Sequence, residues 1–364
     1  VNALQSNTSE PNHPMDTPQT HSKFRTKTGK VSMNDVARAA GVSKTTISRF
    51  LHGEYGYMSD QTKNRIQNII HELGYRPNRM AQGLKSQTSK MLGVAISNIG
   101  NPFSSQLLKG IQQTTRAHGV QLLVSDSDDN PAIERSNIES LLDVQVDGLI
   151  INTVGNNDEY IQNYLTDPHH KPVVLLDRFI ENTSKACNTV VSDNHRGVMD
   201  MMQHLTEQGF DLIVFVTQPY AGISTRFTRV EAFQEALHRY DITGEVLVYH
   251  NDLDQLHDDI ERIIHTYQGH KICIFANNDE AVRDVMVAYP LMKDDKFGLC
   301  AFAQETWARF SGRGITCLDQ SPIDMGAQAT ELLCERIYNN TSSDFQYIEV
   351  PVKLFKLPST LEVR

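Results

Sequence analysis

Lys44-Thr-Thr-Ile-Ser-Arg49 places short hydroxyls and two cations within six residues, directly behind Ser43. At helical spacing Ile47 and Leu51 share one face, while Lys44, Thr45, Ser48 and Arg49 share the opposite one. Thr45, Thr46 and Ser48 are short hydrogen-bonders that reach base edges or phosphates, and Arg49 can fork onto guanine or a phosphate. A second group lies further along the chain. It comprises Asn101-Pro-Phe103, Leu176-Asp177-Arg178, Thr225-Arg226-Phe-Thr-Arg229 and Ala276-Asn-Asn278-Asp279. Each stands where an apolar run ends or a helical pattern opens, the place where α/β proteins present ligand contacts. The plain alternative is an end-capping Asp and Asn beside a solvated Arg pair.

No catalytic constellation competes with these two groups. There is no Gly-x-Gly-x-x-Gly opening a helix, no Walker lysine loop, no Gly-x-Ser-x-Gly elbow and no His-Glu-x-x-His. The 14 histidines show no ligand-like pairing beyond His169-His170, which sits in a polar loop. Five cysteines, at 187, 273, 300, 317 and 334, have no metal-ligand spacing and read as buried reduced thiols of a cytoplasmic protein. The reading is of a non-enzyme with no cofactor and no metal.

The elements that must position the first group are short helices. Ser32 can cap a first helix with Asp35 in its opening turn, and Val36, Ala37 and Ala40 form its apolar stripe. Gly41-Val42 makes a tight turn, and Ser43 caps the second helix. A third runs from Ser59 to Leu73, with Ile66, Ile69, Ile70 and Leu73 inward and Gly74 as its stop. Two short helices joined by a Gly-containing turn form a helix-turn-helix, whose second helix can enter the DNA major groove. After it, Pro77 opens a short pattern with Met80, Ala81 and Leu84 on its apolar face, flanked by Arg76, Arg79 and Lys85. Such a helix is too short to persist unless packed against a partner. Paired with a twin, it could press Leu84 into the minor groove; the alternative is a plain linker.

Charge agrees with this division. The 364 residues carry a net charge of −10, which taken whole argues against a nucleic-acid partner. Residues 23–90 nevertheless hold 13 basic residues against four acidic ones, a local +9; with −2 over 1–22, this leaves −17 over 91–364.

The body alternates strand and helix patterns. Strands are predicted at Leu92–Ser97, Gln121–Ser125, Gly148–Asn152, Val173–Leu176, Leu212–Thr217, Glu245–Tyr249, Ile272–Ala276 and Phe297–Phe302. Helices are predicted at Ser105–Ala117, Asn194–Glu207, Val230–Arg239 and Asp258–Tyr267. Alternation of this kind gives parallel, doubly wound sheets, and the strand count calls for two lobes with a ligand crevice at the strand C-termini. The longest apolar runs are strand-sized, so no segment spans a membrane.

Asp35-Val-Ala-Arg-Ala-Ala-Gly-Val-Ser-Lys-Thr-Thr-Ile-Ser-Arg49, followed by Tyr75-Arg-Pro-Asn-Arg-Met-Ala-Gln-Gly-Leu84, closely resembles the head and hinge of LacI/GalR-type bacterial transcription regulators. The body is similar to the core of that family, whose fold is like that of periplasmic sugar-binding proteins, so the resemblance covers about residues 30–360. It implies an N-terminal all-α helix-turn-helix domain and an α/β core of two doubly wound lobes. The expected organisation is a disordered leader (1–29), a DNA-binding head (30–75) and a hinge helix (76–89). Residues 90–190 with about 321–345 would form the first lobe, and 191–320 with about 346–364 the second. The implied DNA-binding set is Lys44, Thr45, Thr46, Ser48, Arg49, His52, Tyr75, Asn78, Arg79, Ala81 and Leu84, with Leu84 as the intercalating wedge.

For the cleft, the resemblance implies a ring at Phe103, a hydroxyl-binding carboxylate at Asp177, an arginine clamp at Arg226 and Arg229, and an amide at Asn278. Trp307 either lines the cleft or fills the core. One departure matters. Where the family usually carries a sugar-binding Asp, Ala301-Phe-Ala303-Gln-Glu-Thr-Trp307 places Ala303. Loss of that acid beside two retained arginines favours an anionic effector, expected to be a sugar acid of the ketodeoxygluconate or hexuronate type. The implied protein is a homodimeric repressor acting on a near-palindromic operator. Its candidate dimer faces are the Phe103–Ile111 helix and the 324–338 helix with Met325, Leu332, Leu333 and Ile337; ordinary core packing of both is as good a reading. The alternatives are a regulator that answers to a partner protein and, in another class, a transporter's solute-binding protein. The latter would require a secretory signal and no basic head.

Overall fold

Ser32 opens the first helix of the head by a reciprocal cap. Its hydroxyl accepts the Asp35 amide at 3.3 Å, and the Asp35 carboxylate accepts the Ser32 amide at 3.0 Å. The Ser32 hydroxyl, which also donates to that carboxylate, and then the Ser32 amide hold the Asp35 carboxyl below its usual range. The computed structural model describes residues 31–76, 88–289, 297–339, 344–361 and 363. They fall into two compact units divided after Gln87. The leader expected at 1–29 and the hinge residues Asn78, Arg79, Ala81 and Leu84 lie outside the described residues.

In the head, α1 (Met33–Ala40) ends at Gly41, whose φ of 62° is the left-handed turn that a side chain would resist. Next come α2 (Lys44–Leu51), capped by Ser43, and α3 (Asp60–Leu73), capped by Ser59 and closed by Gly74. Val36, Ala37, Ala40, Ile47, Ile66 and Tyr75 form the buried centre, with Leu51, Ile69, Ile70 and Leu73 packed around it.

The body runs β1 (Met91–Ile96), α4 (Pro102–Ala117), β2 (Gln121–Asp126), α5 (Pro131–Asp143), β3 (Gly148–Ile151), α6 (Asp158–Thr166), β4 (Val173–Leu176) and β5 (Asn188–Ser192). It continues with α7 (Asn194–Glu207), β6 (Leu212–Thr217), α8 (Ser224–Tyr240), β7 (Thr243–Val248), α9 (Leu253–Thr266), β8 (Ile272–Ala276), α10 (Asp279–Ala288), β9 (Gly298–Phe302), α11 (Glu305–Ala308) and β10 (Thr316–Asp319). It closes with α12 (Pro322–Tyr338), β11 (Tyr347–Val350), β12 (Lys353–Phe355) and α13 (Pro358–Leu361). One sheet has the order β11-β5-β4-β3-β1-β2 and is wholly parallel. The other, β12-β10-β9-β8-β6-β7, is parallel except for β10–β12. Both are doubly wound: the strand order reverses at β1 in the first and at β6 in the second, which fixes where the crevice opens.

The chain passes between the lobes after β5, after β10 and between β11 and β12. The last crossing corrects one expected boundary. Residues 346–364 do not all join the second lobe, because Tyr347–Val350 pairs in parallel with Thr189–Ser192 of the first sheet. The Asn188 side chain secures this edge by accepting the Gln346 amide at 2.8 Å.

The helices expected to carry the dimer face are packed against each other. A methyl group on Gly110 of α4 would lie 2.0 Å from the Ile323 carbonyl, and one on Gly326 of α12 would lie 2.2 Å from that of Leu107. Leu107, Ile111, Met325, Leu332 and Leu333 are buried in the core of their own lobe, and Ile337 packs on its margin. Most of those apolar side chains are therefore covered within one chain, while Leu108 and Ile323 stay half-exposed on the two helices.

Gly110→Ala and Gly326→Ala are each expected to lower the body's unfolding free energy by about 2–3 kcal/mol or more, since backbone must move. A methyl group on Gly197 would meet only side-chain atoms, of Val352 at 3.3 Å and of Phe302 at 3.5 Å. Gly197→Ala should cost under about 1 kcal/mol in the same denaturation measurement.

Candidate functional site

The outer face of α2 is a polar, cationic strip. Lys44, Thr45, Arg49 and His52 are exposed and Ser48 is half-exposed. The His52 ring nitrogen lies 2.6 Å from the Ser48 carbonyl at the helix end. Thr46 has less freedom, because its hydroxyl is bonded to Ser43 at 2.9 Å as part of the cap. Tyr75 is a correction: it is 8% exposed in the head core, where burial raises its phenol pKa, and it presents no side chain outward. Tyr57 lies outside the set expected from the sequence. It is 91% exposed with the Arg49 guanidinium 5.6 Å from its ring centre, so it extends the strip. The only signal in the sequence was an aromatic pair in Tyr55-Gly-Tyr57, with no helical pattern to say which ring faces out.

The cleft is organised by Arg229. Its guanidinium is 4% exposed, lies 3.7 Å from the centre of the Phe302 ring and spends three of its five N–H donors on fixed partners. Nε donates to Asn194 Oδ1 at 2.7 Å, Nη1 to the Asn277 carbonyl at 2.6 Å, and Nη2 to Gln320 Oε1 at 2.6 Å. Asn194 directly follows the first lobe crossing and Gln320 lies in the second, so one side chain grips both. Gln320 Oε1 also accepts the Ser192 hydroxyl at 3.1 Å.

Asp177 ends β4 of the first lobe in a left-handed conformation, φ 70°, 8% exposed. Burial raises its carboxyl pKa, against the pull of Arg178 and Arg229 and a bond from Asn152. Arg226, half-buried in the first turn of α8, donates to the Pro219 carbonyl at 2.9 Å. Burial lowers its pKa, and the like charge of Arg178 lowers it further. Arg178 is an addition to the expected set. Its Nη1 donates to the Thr153 carbonyl at 2.6 Å, while its buried Nε has no partner among the described residues. Among the described residues, none of Arg178, Arg226 and Arg229 forms an ion pair with a carboxylate.

The lobes meet beside this cluster. The Phe179 amide of the first lobe donates to the Ser224 hydroxyl of the second at 3.0 Å. Gly222, at φ 76°, lies so close to Asn156 that an added methyl would sit 2.5 Å from its side-chain oxygen.

Asn278 serves as the N-cap of α10, accepting the Ala281 amide at 2.8 Å and donating to Gln218 at 3.1 Å. The capping alternative thus describes its oxygen, and its neighbour Asn277 is the residue that reaches Arg229. Ala303 is buried at the end of β9. Trp307 rests partly on the second lobe's core while its indole N–H donates to Asp279 at 2.8 Å. Phe103 is half-buried in the first turn of α4 and packs against the first lobe's core. The described residues contain no group of three His, Cys, Asp or Glu placed to hold a metal, and no helix long and apolar enough to cross a membrane. All five cysteines are buried and free.

A basic helix-turn-helix head followed by a two-lobed α/β body with a cationic crevice defines a DNA-binding regulator with a sensory core. Residues 32–78 match the family described as bacterial regulatory proteins, lacI family. Residues 89–294 match the periplasmic binding proteins and sugar binding domain of LacI family. The HTH-type transcriptional regulator KdgR of Bacillus subtilis is 30% identical over 90% of this chain and 97% of its own length. PtxS of Pseudomonas plecoglossicida is 33% identical over 95% of this chain and 97% of its own. The fold is that of the lac repressor dimer bound to operator and the anti-inducer ONPF, with TM-score 0.79 and 21% identity over 91% of this chain and 99% of that one. The chain belongs to the LacI family and is a DNA-binding transcription regulator.

Burial pushes the Asp279 carboxyl up from 3.8 to about 6, opposed by the bonds from Trp307 and the Gln304 backbone. Because the folded value lies above the unfolded one, the contribution of this carboxyl to stability is full below pH 3.8 and is lost as pH rises through about 6. Trp307 is the single tryptophan and reports that carboxyl directly. Its fluorescence should titrate with a midpoint of about 6 in the native protein. The transition should disappear in Asp279→Asn.

Proposed function

We infer that this regulator is a dimeric repressor of sugar or sugar-acid operons whose signal is an anionic sugar derivative held between the lobes. The observation that carries this reading is the arginine cluster: three guanidiniums converge on one cleft, and among the described residues none is in ion-pair contact with a carboxylate, although Asp177 and Asp279 act on Arg229, and Glu280 on Arg226, from further away. Like charges held together in a partly dehydrated site raise one another's energy, and a carboxylate ligand relieves this through charge-assisted bonds. Asp177 supplies an acceptor for ligand hydroxyls, and the neutral Ala303 removes a carboxylate that would repel an anion. Relatives named as ribose and sucrose operon repressors, at 27% and 30% identity, support the repressor reading.

Two heads would read the half-sites through Lys44, Thr45, Ser48, Arg49 and His52, while the hinge segment with Asn78, Arg79, Ala81 and Leu84 bends the centre. A ligand that closes the lobes needs a differential affinity of only about 1–3 kcal/mol to alter operator occupancy.

Titration calorimetry of the full chain with D-gluconate, 2-keto-3-deoxy-D-gluconate and D-glucuronate, against D-glucose and D-ribose, tests the effector class. At least one acid should bind about tenfold or more tighter than either neutral sugar. Exclusive binding of a neutral sugar would overturn the reading. Arg229→Lys keeps the charge and loses the fork, and should weaken the acid by about 2–3 kcal/mol.

Leu84→Ala should reduce affinity for a selected operator duplex about tenfold more than affinity for random DNA. Equal loss for both in a binding titration contradicts the wedge.

A further inference from the structure

Asp147 is a buried carboxylate, 7% exposed, with no part in the cleft. It immediately precedes β3, and its amide donates to the Met91 carbonyl of β1 at 2.7 Å, so its position is fixed by the centre of the first sheet. Four donors converge on it. Oδ1 accepts the Ser89 amide at 2.6 Å and the Ser89 hydroxyl at 2.9 Å. Oδ2 accepts the Lys90 amide at 2.8 Å and the Tyr338 hydroxyl at 2.8 Å. Lys90 is held in the left-handed region, φ 55°, with its ammonium 3.7 Å from the centre of the Tyr338 ring. Ser89 and Lys90 are among the first residues of the body, next along the chain from the segment that joins it to the DNA-binding head.

Tyr338 is the last residue of α12, whose other end lies at the cleft. There Gln320, two residues before the helix, accepts from Arg229 at 2.6 Å and from Ser192 at 3.1 Å. The 17 residues between span about 25 Å. Close Gly110 and Gly326 contacts lock the helix against α4, and its final turn lies so near β3 that a methyl on Gly148 would meet Ile337 at 2.7 Å. A helix packed this tightly moves as one piece.

We propose that Asp147 and Tyr338 are positioning residues that couple the effector cleft to DNA affinity. They grip the start of the body at one end of α12, while Arg229 and Gln320 hold the other. A change in the lobe crossing at Gln320 reaches Ser89 and Lys90 as a displacement of one strut. The proposal rests on the chain's function as a DNA-binding regulator and not on the chemistry of the effector.

The test uses the full-length chain without effector. A duplex selected by that chain from a random library, and an unrelated duplex of equal length, serve as probes at one fixed salt concentration. Asp147→Asn and Tyr338→Phe are compared with wild type; the second variant removes one hydroxyl and keeps the ring under Lys90. Each should weaken the selected duplex about tenfold or more and leave the unrelated duplex within about twofold. A merely structural role would lower the melting temperature without changing that ratio. In the double variant Gln320→Ala/Tyr338→Phe the losses should be strongly non-additive, whereas sites this far apart ordinarily add. An unchanged ratio, equal loss on both duplexes, or additivity would overturn the coupling. A wild-type chain that enriches no duplex would overturn the DNA-binding reading itself, and this proposal with it.

Discussion

The body depends on one buried cation. Arg229 reaches from α8 to the first lobe crossing at Asn194, to the end of β8 at Asn277 and to the second crossing at Gln320. Burial brings its pKa down to about 10, which leaves it charged at neutral pH. An unpaired buried charge is costly, and here the cost is offset by three short hydrogen bonds, the face of Phe302 and the field of Asp177. The geometry of the lobe junction is therefore tied to the electrostatics of the cleft. An anion that enters beside Arg229 changes the balance of forces on both crossings at once.

The same logic accounts for the arrangement around it. Arg178 from the first lobe and Arg226 from the second repel across the crevice, and each donates to a backbone carbonyl, of Thr153 and Pro219. Asp177 and Asp279 remain nearby, both with raised pKa values caused first by burial. A site of this kind is frustrated until a ligand supplies what the protein lacks, and that frustration is a source of differential affinity between open and closed lobes. In the head, by contrast, the local choices agree: reciprocal caps, a glycine turn and one small apolar centre.

The architecture was legible where burial on both faces writes continuous apolar runs. Leu212–Thr217, Val173–Leu176 and Ile272–Ala276 stand in the structure with the bounds their composition suggests. Asn188–Ser192, Thr316–Asp319 and Tyr347–Val350 did not stand out, because they are short, carry polar ends and owe their pairing to neighbours far along the chain. Helix α8 begins at Ser224, six residues before its apolar stripe at Val230, since the arginines that serve the cleft interrupt the pattern. In the site, Asp177 and Arg229 were legible from their places at a strand end and a helix start. The bond from Arg229 to Asn277, the inward Tyr75 and the nearness of Arg178 depend on which way neighbouring side chains turn, which a spacing rule leaves open.

The most direct measurement is a crystal structure of the full chain grown with 2-keto-3-deoxy-D-gluconate. The account predicts the ligand carboxylate between Arg178 and Arg226, within about 3.2 Å of a guanidinium nitrogen. Asp177 should accept a ligand hydroxyl in the same structure. A ligand whose carboxylate faces solvent while its neutral end occupies the arginine cluster would contradict it.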